Sequence, residues 1–356
     1  MPDIKAILDK ALAGERLGED EGAALIEARD QLIPIGKAAG VIRERKHPGG
    51  LVTFVIDRNI NYTNVCQSRC RFCAFFREQG DPEAYVLTYE EILAKIQELV
   101  DLGGTQVLIQ GGLHPELGLD YYTGMLRAIK REYNVQIHSF SPPEIVHLSR
   151  KFGYSTRRVL EILREAGLDS LPGGGAEILV DRVRSQVSPH KYSWRDWMNV
   201  MREAHVIGMR TTATMMFGTV ETPAERVKHM VRLRELQDET GGFTAFIPWS
   251  FQPANTELGV TTATTVDYLL TLAVARLVLD NFANIQASWV TQGEKIAQVA
   301  LAFGANDFGG TMLEENVVRA AGASYRVPMN EIVRVIKDAG FTPAQRATDY
   351  KILRTF

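Results

Sequence analysis

Cysteine is nearly absent from this chain: there are 3 in 356 residues, all in the stretch Cys66-Gln67-Ser68-Arg69-Cys70-Arg71-Phe72-Cys73. A disulfide framework is therefore excluded, since pairing any two strands the third. Charge of one sign is lacking too. Forty basic against 43 acidic residues leave a net charge of −3, so neither nucleic acid nor an anionic membrane is expected as a partner. No apolar run of about eighteen residues occurs, so no membrane span is expected. Met1-Pro2-Asp3-Ile4-Lys5 lacks the basic segment and apolar stretch of a signal peptide. Together with thiols outside disulfide spacing, this points to the reducing cytoplasm. Internal repeats and low-complexity linkers are also missing. What is plentiful is apolar residues, at 45 %, enough for a large core in a chain of ordinary length for an α/β barrel with additions.

The pattern divides the chain into an N-terminal helical extension (1–50), a barrel (51–325) and a C-terminal helical extension (326–356). Leu51-Val52-Thr53-Phe54-Val55-Ile56 reads as a short strand outside the main repeat, capping one end of the core. From residue 59 onward, strands are expected at 59–65, 105–111, 135–141, 170–177, 210–218, 244–251, 284–290 and 303–309. Amphipathic helices fall between most of them, at 90–102, 156–166, 194–207, 223–239 and 266–282, with another at 329–339. Thr88 and Thr222 are N-caps with Glu91 and Glu225 in the capping-box position. Alternating strands and helices of this number predict a (β/α)8 TIM-like barrel. A six-stranded partial barrel with a separate C-terminal unit is the alternative.

The cysteine spacing, C-x3-C-x2-C, carries the chemistry. Three thiolates on one loop can ligate three irons of a cubane, and a fourth iron without a protein ligand invites a small chelating molecule. A structural zinc would need four ligands. His47 and His114 are remote in sequence, so zinc requires their approach in space. A redox pair at Cys70 and Cys73 leaves Cys66 without a role. The spacing, with Phe72 before the last cysteine, resembles the signature of the radical S-adenosylmethionine (SAM) superfamily. That resemblance implies a [4Fe–4S] cluster on Cys66, Cys70 and Cys73, with the amine and carboxylate of SAM on the open iron.

In a barrel, functional groups gather at the C-terminal ends of strands. Gly111 and Gly112 end the second strand and let backbone approach a ligand, here the methionine ammonium; a plain tight turn is the alternative. His138-Ser139-Phe140-Ser141 ends the third, where alternation puts one pair into the barrel mouth. Ser139 is a candidate SAM contact, and His138 is equally readable as a core residue. Pro142-Pro143-Glu144 reads as a helix start. After three glycines, Glu177 is a candidate for a ribose or ammonium group, and Arg182 for the methionine carboxylate. Solvated charge is the alternative for the arginine. Trp249, Gln252, Asn255 and Gln292 belong to Pro-Trp-Ser-Phe-Gln-Pro and Ser-Trp-Val-Thr-Gln-Gly groupings that suit a ring-bearing, oxygen-rich substrate.

Asn61-Tyr62-Thr63-Asn64-Val65-Cys66, Cys73-Ala74-Phe75-Phe76-Arg77, His138 to Glu144, the two tryptophan groupings and Gly304-Ala305-Asn306-Asp307-Phe308-Gly309-Gly310-Thr311-Met312 resemble one group. It holds the menaquinone futalosine-pathway enzymes and the deazaflavin synthases, and the resemblance leans to its ring-closing branch. Leu113 departs from the Gly-Gly-Glu of many relatives, so there only the backbone role carries over. The resemblance implies cleavage of SAM to a 5′-deoxyadenosyl radical and hydrogen abstraction from the ribose of dehypoxanthine futalosine. Addition to the benzoate ring and loss of an electron and a proton follow. It also implies an electron donor such as flavodoxin or ferredoxin. Tyr62 and Arg77 join the substrate candidates, Arg77 because a guanidinium forks onto carboxylates. His114, Glu144 and Asp307 are the nominees for the base.

Overall fold

The computed structural model describes residues 3–323 and 325–356. Its strands are β1 (Leu51–Val55), β2 (Asp57–Ile60), β3 (Gln106–Ile109), β4 (Gln136–Ser139), β5 (Ser170–Leu171), β6 (Arg210–Phe217), β7 (Phe243–Ser250), β8 (Asn284–Ile285), β9 (Asp307–Gly310), β10 (Thr342–Arg346) and β11 (Ile352–Thr355). Strands β2 to β8 form one parallel sheet in sequence order, and a second sheet runs β11-β10-β1-β9. Helices between successive strands make the parallel crossovers possible. The expected eight-strand repeat is thus met by a seven-stranded curled sheet plus one strand from its neighbour. On one side β9 pairs with β1; on the other, Asp307 bridges to Gln286 just past β8. Strand β9 therefore spans the gap between the last strand of the sheet and the chain that enters its first.

Helix formation follows the local signals. Tyr89–Asp101 starts at a Thr88–Glu91 capping box and buries Ile92, Ile96 and Leu99; Pro223–Thr240 starts at the Thr222–Glu225 box and stops at left-handed Gly241. The N-terminal extension is three helices, Ile4–Leu12, Glu19–Glu27 and Leu32–Lys46. Close approach explains a glycine there: a Cβ on Gly36 would lie 2.4 Å from the Phe303 ring. The C-terminal segment contains the helix Met329–Asp338 and then continues into β10 and β11, which the sequence pattern did not signal. Thr-Pro-Ala-Gln-Arg has no alternation of its own; it is a strand because it pairs in register with β1, Leu51 opposite Thr342. No helix among the described residues is long and apolar enough to cross a membrane.

Alternation divides the sheet into two chemistries. Ile60, Val107, Ile109, Ile137, Ala213, Met215 and Phe246 are fully buried in the apolar core. Their alternates Asp57, Asn59, Gln106, His138, Thr212 and Trp249 line a central cavity of about 400 Å³. Barrel interiors are ordinarily packed with branched aliphatic layers. This one is left open, with polar side chains set among an apolar lining.

Candidate active site

The cysteine loop leaves β2 at the cavity mouth and is pinned by backbone bonds to three separate segments. Cys66 N–H donates to the Arg77 carbonyl, Gln67 N–H to Leu113 and Arg71 N–H to Val187. Arg77 braces the same loop from behind: its guanidinium donates to the Ala74 and Phe76 carbonyls and pairs with Glu83. It does not line the cavity, so its expected role as a substrate-carboxylate clamp gives way to holding the chain after Cys73. Gly112 is required by proximity, because a Cβ there would meet the Val65 carbonyl oxygen at 2.1 Å and the Cys66 Cβ at 2.9 Å. Gly111 packs flat on the Tyr62 ring, 2.5 Å from where a Cβ would stand. Both glycines line the cavity with the three cysteines.

All three thiols are free. Burial pushes the Cys73 thiol up to about 11, and proximity to Cys70 adds to it; burial likewise raises Cys70. Crowded thiols of this kind ionise readily only with a metal's charge beside them. Among the described residues no three His, Cys, Asp or Glu groups converge on one ion position. Cubane cysteines each take a separate iron. The donor set, three soft ligands with the glycine turn opposite, fits a [4Fe–4S] cluster with an open corner.

Next to the cysteines stands Glu177, held at φ +43° after the glycine run. Its carboxylate receives Lys191 Nζ at 2.7 Å and Arg184 Nη1 at 3.1 Å. Lys191 also lies over the Phe72 ring at 5.0 Å and lines the cavity. Sequence reasoning missed it, since a lone lysine in a turn carries no local signal. Arg182, the expected arginine, points elsewhere: it is about half exposed, bonds Glu225 at 2.7 Å and does not line the cavity. The short helix Asp181–Val187 turns Arg184 inward and Arg182 outward.

Glu144 is the second cavity carboxyl at the mouth. It accepts from Tyr62 Oη at 2.6 Å, Ser141 Oγ at 2.6 Å and Gly111 N–H at 3.2 Å. Burial pushes it up to about 7 despite these donors. Pro142–Phe152 is indeed a helix with proline at its start, so Glu144 sits in its first turn. Tyr62 does not reach the cavity; its ring lies behind Gly111 and its hydroxyl is spent on Glu144. Ser139 is also displaced from the expected position. Alternation turns His138 inward and Ser139 into the wall, where its Oγ has no partner. Phe140, at φ +64°, then resets the chain and returns Ser141 to the cavity.

The other two nominees for the base are occupied. His114 Nδ1 accepts from the N–H groups of Glu116 and Leu117, closing its own turn. Asp307 is held by Arg346 through two bonds, at 2.5 and 3.1 Å, and accepts from Thr53 Oγ1. Neither lines the cavity. Of the far-strand candidates, Trp249 lines it. Gln252 and Gln292 do not; both bond Ser250 Oγ. Asn255 is exposed in a left-handed turn, bonded to the Ala320 carbonyl. The expected strand at 284–290 stops after Ile285, and Trp289–Gln292 coils into a short helix that brings Ser288, Trp289 and Thr291 to the cavity.

At the opposite end, where β2 and β3 begin, the cavity floor is closed by the C-terminal segment. Arg346, Thr348 and Tyr350 reach it beside Asp57, Gln106 and His138. Burial pushes Asp57 up to about 6 and His138 down to about 3. No motif announces this floor, whose members come from opposite ends of the chain.

Two family models match: the radical SAM superfamily over residues 60–233 and the CofH/MqnC C-terminal region over 240–355. The chain is 50% identical over 355 residues to a cyclic dehypoxanthine futalosine synthase of Halalkalibacterium halodurans, covering 99% of this chain and 96% of the relative. It is 44% identical to a protein of the same name from Streptomyces coelicolor, over 99% of this chain and 89% of that one. A 5-amino-6-(D-ribitylamino)uracil–L-tyrosine 4-hydroxyphenyl transferase of Methanopyrus kandleri is also 44% identical, over 99% and 98%. In fold, the chain is similar to the hydrogenase maturase HydG of Carboxydothermus hydrogenoformans, with TM-score 0.78 at 18% identity over 98% of this chain and 80% of that one. Radical SAM enzymes use a [4Fe–4S] cluster and SAM, and the cavity mouth has the donor set for them. The chain belongs to the radical SAM superfamily, in the branch that carries the CofH/MqnC C-terminal region.

Proposed function

We propose that this protein is a radical SAM cyclase that converts dehypoxanthine futalosine to cyclic dehypoxanthine futalosine in menaquinone biosynthesis. The observation that carries this reading is 50% identity along nearly the whole chain to a relative of that name. A cavity running from three free cysteines to a polar floor supports it. Cys66, Cys70 and Cys73 hold the cluster, and the Gly111–Gly112 backbone receives the methionine ammonium of SAM. When bound, these cofactors would supply one-electron chemistry at a ribose carbon; ring closure onto the benzoate then passes a proton to the protein and one electron to the external redox partner.

The chain's own groups orient and protect. Trp249 and Trp289 both line the cavity, where they offer apolar surface to an aromatic ring. Glu177, fixed by Lys191 and Arg184, faces the cofactor end. Glu144 accepts the final proton: among the three nominees it alone borders the cavity, and its value near 7 matches a base at neutral pH. A low-potential donor such as flavodoxin or ferredoxin and a cytoplasmic location complete the reading. A second reading rests on the Methanopyrus kandleri relative, whose name describes joining a ribitylaminouracil to the ring of tyrosine. Incubating the reduced, cluster-loaded protein with SAM and each substrate set separately discriminates. Conversion of dehypoxanthine futalosine to its cyclic product is expected. Unchanged dehypoxanthine futalosine with consumption of the aminouracil and tyrosine would move the assignment to the second reading.

A further inference from the structure

The cavity floor is polar well beyond what holding the fold requires. Arg346 uses three of the five N–H groups of a guanidinium, two on Asp307 and one on the Ala347 carbonyl, leaving two over. Its guanidinium lies 4.0 Å from the centre of the Tyr350 ring. The Tyr350 hydroxyl is buried without a hydrogen-bond partner, as is Asn59 Oδ1, and both residues line the cavity. Asp57 receives Met312 N–H at 2.9 Å and only a long contact from Gln106 at 3.4 Å, so its carboxylate keeps accepting capacity. Thr348 donates to Gln106 at 2.7 Å and fixes that amide at the floor. An unpaired buried polar atom destabilises the fold. Two beside one cavity, with the spare donors of Arg346 and the open acceptor sites of Asp57, point to a ligand that satisfies them.

The mixture identifies the ligand's chemistry. Asp57 and Asn59 Oδ1 only accept; Arg346 only donates; Tyr350 does either. A carboxylate has no proton to give, and it would meet the Asp57 charge with Arg346 already neutralised by Asp307. A hydroxyl donates and accepts at once. Vicinal hydroxyls match such a surface, as when an acidic side chain takes up ribose hydroxyls.

We propose that Asp57, Asn59, Arg346 and Tyr350 form a sugar-hydroxyl subsite that seats the polyhydroxyl part of the substrate on the floor of the barrel. This subsite deepens the proposed function without depending on the choice of substrate, since a ribose and a ribityl chain present the same groups. SAM carries a ribose as well, and the test separates the two sources.

The experiment is calorimetric titration of the cluster-loaded, SAM-bound protein, without reductant, in wild type and in Tyr350→Phe and Asp57→Asn. The ligands are dehypoxanthine futalosine, its 2′,3′-dideoxyribosyl analogue and 5-amino-6-(D-ribitylamino)uracil. SAM is titrated separately. Each substitution is expected to weaken the sugar-bearing ligand about tenfold, the worth of one buried hydrogen bond. The dideoxy analogue should bind wild type less tightly and lose little more in the variants. Tyr350→Phe removes a hydroxyl with no partner in the fold, so it remains informative if Asp57→Asn folds poorly. Unchanged binding of the sugar-bearing ligand in Tyr350→Phe, or weakening confined to SAM, would overturn the subsite. Wild type that takes the ribityl ligand and refuses dehypoxanthine futalosine would instead overturn the substrate assignment, with the floor then judged on the ribityl ligand by the same variants.

Discussion

The mouth and the floor of the cavity are built by opposite means. At the mouth the three cysteines come from one loop, which backbone bonds tie to its neighbours while the thiols stay free of disulfides. At the floor the groups come from both ends of the chain, and side chains hold one another: Asp307 grips Arg346, and Thr348 grips Gln106. A backbone-held site loses its chemistry when a ligand is removed but keeps its fold. A site held by buried side chains loses stability first.

The sharpest way to test that contrast is at Cys70. Replacing Cys70 by Ala is expected to abolish both cluster uptake and SAM cleavage, because two thiolates cannot present a cubane with one open corner. Iron and sulfide content and the yield of 5′-deoxyadenosine measure it, while the urea midpoint of the apo protein should move little. Full iron content with retained cleavage would overturn the triad.

The floor should respond the other way. Asp307→Ala leaves the buried Arg346 guanidinium without its partner, a loss of about 3–5 kcal/mol. The expected result is a lower urea midpoint, with iron content per folded molecule unchanged. The double substitution Asp307→Leu with Arg346→Met should recover much of the loss, since it removes the buried charge along with its partner. A double variant no more stable than the single one would show that packing, rather than charge, holds this corner.

Glu144 lies between the two regimes, a mouth residue held by side chains. Its folded value near 7 lies above the usual 4.5. The native state therefore binds a proton the unfolded chain has released, and its contribution is full below about 4.5 and is lost as pH rises through 7. The whole shift is on the order of 3 kcal/mol. Between pH 5 and pH 8, wild type should lose more stability than Glu144→Gln in matched urea titrations. Equal losses would mean that Glu144 titrates normally in the fold.

The same contrast explains what could be read from the chain alone. The cysteine spacing, the glycine pair and the capping boxes are local, and each reappears where its residues place it. The succession of strands was legible because strands and amphipathic helices alternate along the chain. The floor was not, because Arg346 and Tyr350 reach it only through the pairing of β10 with β1, which no local pattern encodes. Lys191 was hidden for the same reason. Where a single backbone event redirects a side chain, as the left-handed Phe140 does for Ser141, simple alternation fails: His138 and Ser141 share the cavity although they lie three residues apart.

Arg182 gives the smallest expected effect, and it tests whether sequence position or geometry decides a role. By position it follows Glu177 closely and is suited to a SAM carboxylate. By geometry it is a half-exposed partner of Glu225. Such surface pairs are worth about 0–1 kcal/mol. Arg182→Ala should therefore shift the urea midpoint slightly and leave SAM affinity within about twofold, because nothing it touches borders the cavity. Lys191→Ala is the matched control, as it removes a buried cation from Glu177 beside the cysteine loop. If Arg182→Ala weakened SAM binding as much as Lys191→Ala, the helix Asp181–Val187 would have to turn on ligand binding, and the mouth would be less rigid than its backbone bonds imply.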